Sequence, residues 1–533
     1  MSKYIGLIPC AGRGSRMGIL TDKVPKAMLP YKNKPIIYHQ IKALYDIGVR
    51  DIILVVGYKK EIIIDYINRE FKNINIKYVI QNELDGLGRA VSIAAKYVND
   101  NDNLIITLGD AIYNNIELIP NSISYIEVRD PHRWCMIEVD NNEEIKKFID
   151  KPQYNIKTKK AVNGIYIINN VEQFKSSIKY MLMNNIKIKN EFQISTILDD
   201  YNKYIKLKAI KHEDWIDLGL ICNFVDANKN SCRYFNSIEI NGEEVTKKSS
   251  NTSKIRDEIN WYNNVIPTKI DDYTPRLIRY PRSMTEYTMS LIEGKTLCET
   301  FLYNHVTDNE ISKIFDLISN YLYDTKINSS YIPENVDLLT KSILIDKTEK
   351  RIKDFPKEFF ENKEIKINKI TYKNPLYYLH SIYNYIEEIS KDSFKYWSIL
   401  HGDFFFGNIM YNGKEIKVID PRGEYGEKGI AGDIRYDIAK LNHSINGLYD
   451  FIVNDLFIIN DNIAELEYMI YENSNVKQIS EIFNRKILSI YNKQEITVIT
   501  GLLFLSMIPL HSDSYNRQKM FFIRATELLN DII

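Results

Sequence analysis

Ile5-Gly-Leu-Ile-Pro-Cys-Ala-Gly-Arg-Gly-Ser-Arg-Met-Gly18, followed by Pro25-Lys-Ala-Met-Leu-Pro30, is the stretch on which the reading of this chain turns. A short apolar run stops at a turn holding two glycines, and basic residues follow. Gly12 and Gly14 allow the backbone to approach a phosphate chain and aim several N–H groups at it, while Arg16 and Lys26 add positive charge where a triphosphate would lie. The segment lacks the Gly-Lys-Ser/Thr ending of an ATPase loop. It reads instead as another kind of nucleotide loop at the end of a strand, with Ala11, Gly12, Gly14 and Ser15 lining it.

Working outward, β-branched runs alternate with amphipathic stretches as far as residue 228. Asp51-Ile-Ile-Leu-Val-Val, Ile76-Lys-Tyr-Val-Ile and Leu104-Ile-Ile-Thr-Leu predict strands, and residues 35–47, 60–71 and 88–97 predict helices. Such alternation predicts an α/β, Rossmann-like, mostly parallel sheet with ligands at the carboxyl ends of its strands. Two carboxylates fall at such ends, Asp110 in Leu108-Gly-Asp110 and Asp217 in Trp215-Ile-Asp217-Leu-Gly219. Brought together they could hold one Mg²⁺, which prefers hard oxygen ligands and commonly takes one or two carboxylates plus substrate phosphates.

These residues, with Gln81, Gly86-Leu-Gly88, Asp150-Lys151-Pro152, Gly164-Ile-Tyr166 and Glu191-Phe-Gln193-Ile, stand in the order seen in sugar-1-phosphate nucleotidyltransferases, which residues 1–228 resemble, implying a nucleotidyltransferase domain over 1–229. The resemblance implies attack of a substrate phosphate on the α-phosphate of an NTP, releasing pyrophosphate. It implies that Arg16 contacts the leaving phosphates, Lys26 the α-phosphate, Gln81 and Gly86 the base, Asp110 and Asp217 the metal, and Lys151 the acceptor phosphate, with Gly164 at the substrate. Asp150 stands where many sugar-specific members carry Glu, and Leu218 where they often carry Thr. A phosphocholine cytidylyltransferase shares the fold and the loop. The Gln81 amide could read a pyrimidine edge, which favours CTP, UTP or dTTP.

After Asn241-Gly242, a two-residue turn signal between alternating runs, the pattern becomes mainly helical from about residue 300. It is broken at Leu400-His-Gly-Asp403-Phe-Phe-Phe-Gly-Asn408 and Ile416-Lys-Val-Ile-Asp420. An Asp, an Asn five residues on and a second Asp beyond a β-run match a kinase catalytic loop and its metal-binding Asp. Asp403 would orient the hydroxyl being phosphorylated, and Asn408 and Asp420 would place Mg²⁺ on the phosphates of ATP. His401 and Phe404 to Phe406 read as support and packing. Upstream, Lys248 is the preferred lysine for the ATP phosphates and Glu258 its partner; Lys247 is the alternative, since a shift of one residue turns the side chain to the other face of a strand. Tyr287 to Gly294 reads as the strand and linker that would hold adenine.

Residues 230–533 resemble the choline-kinase and aminoglycoside-phosphotransferase superfamily. The resemblance implies a two-lobed, protein-kinase-like (α+β) domain, with a small lobe over 230–296 and a mainly helical large lobe over 297–533. It turns Arg422 and Asp433 toward substrate and makes Asp437 an anchor of the catalytic loop. In series, the two halves would phosphorylate a small alcohol with ATP, a sugar at its anomeric hydroxyl in the first reading, and join the product to a pyrimidine nucleotide for surface-glycan assembly. Choline or a polyol with CTP is the second reading. A catalytically silent half serving regulation or assembly is the third.

Lys plus Arg and Asp plus Glu number 70 each, so no overall basic field draws the chain to nucleic acid. The cysteines Cys10, Cys135, Cys222, Cys232 and Cys298 are scattered without a Cys-x-x-Cys pair, which fits a reducing cytoplasm. The opening residues lack the apolar core of a signal peptide. The apolar stretch Ile496 to Leu510 is shorter than the roughly 20 residues of a membrane span and predicts a buried helix. Oligomeric state stays open.

Overall fold

The computed structural model describes residues 3–228, 236–327, 332–460, 462 and 465–533. Cys232 and the Tyr234-Phe235 start of the expected hairpin lie outside them. The chain divides into two compact units, Met1–Asn228 and Lys229–Ile533.

The first unit is built on a nine-stranded sheet. Asn75–Ile80, Asp51–Val56, Tyr4–Pro9 and Asn103–Thr107 run parallel in that order, with Leu54 opposite Tyr78, Ile5 opposite Asp51 and Leu7 opposite Ile106. The three inner strands are apolar and largely buried, as expected where helices cover both faces of a sheet, whereas Asn75–Ile80 at the edge buries only Val79. The connecting helices are Ile36–Asp46, Lys60–Glu70 and Leu87–Ala95. Gly6 allows the first to sit close, since a Cβ there would stand 2.7 Å from Leu44 Cδ1.

Beyond Asn103–Thr107 the sheet becomes mixed, which corrects the expectation of a mostly parallel sheet, although Lys208–Lys211 still pairs parallel with Ser122–Glu127. Lys160–Ile168 lies antiparallel to Asn103–Thr107, and it also pairs antiparallel with Ser122–Glu127. Cys135–Val139 and Ile145–Asp150 form a further antiparallel pair. The reason is the route of the chain: after Asp110 it turns through Ala111–Tyr113, which pairs with Trp215–Asp217 apart from the main sheet.

The second unit opens on a four-stranded antiparallel sheet ordered Asn236–Asn241, Glu244–Ser249, Glu286–Ser290 and Leu277–Arg279. Gly242, at φ +61°, makes the tight turn of its first hairpin. Helix Thr252–Val265 follows the second strand, capped by the Asn251 side chain on the Lys254 N–H. Farther along, helices dominate: Asp308–Asp324, Leu379–Ser390, Arg435–Ile445, Asn475–Lys486, Lys493–Met507 and Tyr515–Leu529. Sheet and helices share one hydrophobic core, which runs from Ile255 and Tyr287 through Phe404 and Ile438 to Phe522.

Among the described residues one helical stretch, Lys493–His511, is long and apolar enough to cross a membrane by composition, and 72% of its apolar window is buried inside the protein.

Candidate active sites

In the first unit, strand Tyr4–Pro9 delivers the glycine loop. Its ladder continues past the strand end, with Cys10 N–H donating to Val55 O at 2.8 Å and Tyr58 N–H to Ala11 O at 2.9 Å. Gly14 has φ +77°, and a Cβ there would meet Lys26 Cβ at 2.7 Å, so glycine is what brings Lys26 against the loop. Gly12, Ser15 and Arg16 face solvent.

Lys26 donates to Asp110 Oδ2 at 2.8 Å. Asp110 is in turn next to Asp217, because the Ala111–Tyr113 and Trp215–Asp217 strands pair Ala111 with Asp217, and Leu218 N–H donates to Asp110 O at 3.0 Å. Asp217 accepts from Gly219 N–H, Arg133 Nη2 and Asn223 Nδ2, each at 2.7 Å. The two carboxylates converge where Gly219 has no side chain: a Cβ there would lie 2.7 Å from Asp217 Oδ1 and 3.6 Å from Asp110 Oδ2. Hard oxygens around a space a methyl group would fill suit Mg²⁺.

The remaining predicted residues of this unit lie on adjoining segments. Gln81 is buried, donating its side-chain amide to Glu83 O at 2.8 Å. Gly86, at φ +119°, would put a Cβ 2.3 Å from Phe192 O, and Gly88 N–H donates to that same carbonyl at 2.7 Å. The segment after Gln81 is thereby clamped to the Glu191-Phe-Gln193 segment. Lys151, at φ +48°, donates its N–H to Trp134 O at 2.8 Å, next in sequence to Arg133. Burial raises the Asp150 carboxyl, against the pull of Lys151 and Lys189. Gly164 packs beneath Leu108 and the Tyr113 hydroxyl, where a Cβ would come within 2.6 Å of Leu108 Cδ1.

The second unit corrects the choice of lysine. Lys247, not Lys248, points inward: it pairs across the sheet with Tyr287, its side chain is 2% exposed, and its ammonium lies 2.9 Å from Glu258 Oε2 and 2.8 Å from Asp420 Oδ1. Lys248 is on the outer face, 41% exposed, with Glu239 and Glu286 each at 3.5 Å. Successive strand residues face opposite ways, so one step of register decided the matter. Burial opposes the charge on Lys247, but Asp420 and Glu258 outweigh it and raise its pKa. Tyr287 OH adds a second donor to Glu258, at 2.9 Å.

Asp403 follows strand Trp397–Ile399. Asp437 anchors that loop by accepting from His401 N–H at 2.8 Å and Gly402 N–H at 2.9 Å. His401 Nδ1 accepts from Asp403 N–H at 3.3 Å while Nε2 donates to Ile419 O at 2.9 Å, the tautomer of a neutral ring. Burial brings this imidazole down to about 4. Phe404 stacks on Tyr321 with ring centroids 4.7 Å apart, and Phe406 packs on Phe301. Asn408 donates Nδ2 to Asp403 O at 2.9 Å and so keeps Oδ1 as an acceptor. The Ile409–Tyr411 and Ile416–Val418 hairpin, extended by Ile419 N–H to Asn408 O at 3.0 Å, brings Asp420 beside Asn408. An amide oxygen and a carboxylate form a donor set that suits Mg²⁺.

Asp433 does not face an open site. It is buried, 2.6 Å from Arg435 Nη2 and accepting from Ser393 Oγ at 2.8 Å. Lys440, on helix Arg435–Ile445, lies 2.9 Å from Asp403 Oδ1 and outweighs burial to hold that carboxyl below the usual carboxylate range. Sequence reading missed Lys440 and, in the first unit, Arg133 and Asn223. Each reaches its partner only through the fold, although Lys440 stands three residues after Asp437, one helical turn along, which would have put both on one face.

Residues 5–233 match the model of the Nucleotidyl transferase family. The bifunctional protein GlmU of Methanocaldococcus jannaschii is 33% identical over 229 residues, 42% of this chain and 53% of that protein. A bifunctional sugar-1-phosphate nucleotidylyltransferase/acetyltransferase of Sulfurisphaera tokodaii is 30% identical over 231 residues, 42% of this chain and 54% of that one. D-glycero-alpha-D-manno-heptose 1-phosphate guanylyltransferase of Campylobacter jejuni is 27% identical over 220 residues, 40% of this chain and 94% of that one. The chain spans about half the length of the first two relatives. With Asp110, Asp217, Lys26 and the glycine loop gathered at one end of its sheet, the first unit is a nucleotidyl transferase domain similar to those of sugar-1-phosphate nucleotidyltransferases.

Proposed function

We propose that the second unit phosphorylates a small hydroxylated metabolite with ATP, and that the first joins the resulting phosphate to a nucleotide. The observation that carries the kinase half is the convergence of Lys247 on Glu258 and Asp420 beside the loop holding Asp403 and Asn408. A buried lysine tethered between two carboxylates is held ready for ATP phosphates, and the neighbouring Asn and Asp suit their metal ion.

In the first step a substrate hydroxyl oxygen bonds to the γ-phosphorus, the bond to the β–γ bridging oxygen breaks and ADP leaves, while the hydroxyl proton passes late in the transfer to the Asp403 carboxylate and from there to water. Asp403 accepts the hydroxyl's hydrogen bond and aims its oxygen. Its depressed pKa suits orientation more than early proton removal. In the second step a phosphate oxygen of the product bonds to the α-phosphorus of a second NTP and pyrophosphate leaves. Lys26 and Arg16 stand by the glycine loop to neutralise the triphosphate, and the buried Gln81 amide favours a pyrimidine base. Asp110 with Asp217, and Asn408 with Asp420, would hold Mg²⁺, which when bound offsets charge on the phosphates in transfer. A sugar phosphorylated at its anomeric hydroxyl, yielding an NDP-sugar in the cytoplasm, agrees with the substrates named for the relatives of the first unit.

The test incubates the full chain with ATP, each NTP and a panel of sugars, sugar acids, polyols and amino alcohols, and seeks the doubly processed product by mass spectrometry. Asp403→Asn should stop ADP release yet leave transfer onto a phosphate supplied ready-made. Asp110→Ala should let the phosphorylated intermediate accumulate. Loss of both activities in either variant would sink the assignment of one reaction to each unit.

A further inference from the structure

Beside the Asp403 loop, the second unit gathers more positive charge than its carboxylates neutralise. Lys440 is 2.9 Å from Asp403 Oδ1. Arg422 Nη1 donates to the Tyr436 hydroxyl at 3.0 Å, and Lys347 Nζ donates to the same oxygen at 3.3 Å. Among the described residues neither Arg422 nor Lys347 has a carboxylate at ion-pair distance; Asp403 and Glu424 act on Arg422 only from farther away. Arg422 and Lys347 are half-buried, and drawing a cation away from water toward a phenol alone is costly unless a ligand completes its pairing.

The local backbone fixes both cations. The Arg422 stem lies over Gly402, where a Cβ would stand 2.7 Å from Arg422 Cβ, and Arg422 N–H donates to His401 O at 2.8 Å. Its guanidinium is thus held between the two loops that carry Asp403 and Asp420. Lys347 emerges directly after a π-helical turn, Ser342–Asp346, a rare local geometry that recurs at functional sites. The charges agree with the contacts. Burial works against ionising Tyr436, yet Lys347, Arg422 and Lys440 overcome it and bring the phenol down to about 7. Burial, with Arg422, Arg351 and Lys440, lowers Lys347 to about 8 in spite of Tyr436.

We propose that Arg422, Lys347 and the Tyr436 hydroxyl form an acceptor subsite for an anionic group, a carboxylate or a phosphate, on the alcohol whose hydroxyl Asp403 receives. This rests on the kinase reading and narrows it: the preferred alcohol is an acid, and a quaternary ammonium is repelled. A planar guanidinium and an ammonium converging from two segments suit a two-oxygen anion.

The test uses the full chain saturated with Mg²⁺ and a non-hydrolysable ATP analogue, so that the γ-phosphate position is filled. Thermal unfolding is followed during titration with sodium acetate and, separately, inorganic phosphate, against sodium chloride at matched ionic strength. Saturable stabilisation by one of the two anions is expected and identifies which kind the subsite takes. Its apparent affinity should fall at least about tenfold in Arg422→Gln and in Lys347→Met, the loss of one charge-assisted hydrogen bond, and stay unchanged in Lys248→Gln. No saturable effect from either anion, or one that both variants retain, overturns the proposal.

A second arm measures ADP release with glycerol, glycerate, glycerol phosphate and choline, using Asp403→Asn as the blank. Preference for an anionic member, lost in Arg422→Gln through the KM of the alcohol and not that of ATP, supports the subsite. Equal or better turnover of glycerol or choline overturns it while leaving the kinase reading in place. If none of the four is turned over, the anion titration decides. Failure of the wild-type chain to bind the ATP analogue removes the kinase reading, and the subsite with it.

Discussion

The Lys247 ammonium lies 2.9 Å from Glu258 Oε2, and both side chains are shut away from water. Removing one member of such a pair strands the other as an uncompensated buried charge, at a cost of about 3–5 kcal/mol. Lys247→Met should therefore lower the unfolding free energy of the second unit by about 3 kcal/mol and abolish binding of the ATP analogue. Lys248→Met, on the outer face, should change stability by less than about 1 kcal/mol and leave nucleotide binding intact. Urea unfolding and analogue titration of the two variants check this, and the reverse ranking would refute the placement.

Asp217 receives three donors and lies beside Asp110 around the space left by Gly219. Asp217→Asn and Asp110→Asn should each slow pyrophosphate release by about 10²–10³-fold or more, the scale of losing a preorganised charge in a transfer site. Circular dichroism and ADP release by the second unit should not change. Gly219→Ala should act similarly on Mg²⁺ dependence, raising the concentration needed for half-maximal rate.

Tyr436 ionises at about 7 in the folded protein because Lys347, Arg422 and Lys440 outweigh its burial, against about 10 for an unfolded tyrosine. Between those values the unfolded chain binds one more proton at this position than the folded one. The contribution of Tyr436 to stability therefore grows as pH rises from about 7 toward 10 and is absent below that window. A tyrosinate absorbance step near neutral pH is expected in the wild type and should vanish in Tyr436→Phe. Persistence of the step in that variant would assign it elsewhere.

At Gly86 a side chain is excluded twice, by φ +119° and by Phe192 O at 2.3 Å from the Cβ position. Gly86→Ala should destabilise the first unit by about 3 kcal/mol through backbone strain and displacement of the Glu191-Phe-Gln193 segment. It should also raise the KM for NTP in whatever fraction remains folded. Unchanged urea midpoint and KM would show that the segment shifts freely.

Local signals carried much of this structure. The parallel strands, the helices between them, the Asn241-Gly242 turn and the spacing from Asp403 to Asn408 to Asp420 are each legible within a few residues. What escaped depends on distant pairing. The strand Lys160–Ile168 is inserted antiparallel by contacts with segments 60 residues away in the chain, as in Ile167 opposite Ile105, and no local pattern announces that. Lys247 and Lys248 are equivalent until the partner strand fixes which face is inner. Asp433 reads like a site residue beside the Asp420 motif, yet Arg435 and Ser393 take its carboxylate into the core. Arg133 and Lys347 belong to no motif, and only folded neighbours give them a role.

The core that runs unbroken from the Tyr287 strand to the last helices has a calorimetric consequence. The small sheet and the helices of the second unit have no separate melting points to give: they should lose structure in one cooperative step. On the kinase proposal, a nucleotide bound at Lys247 would stabilise helix Tyr515–Leu529 as much as its own strand, because the whole unit shares a single unfolding free energy. A cut near residue 296 would yield two insoluble fragments, whereas a cut at the 228/229 border severs no part of that core.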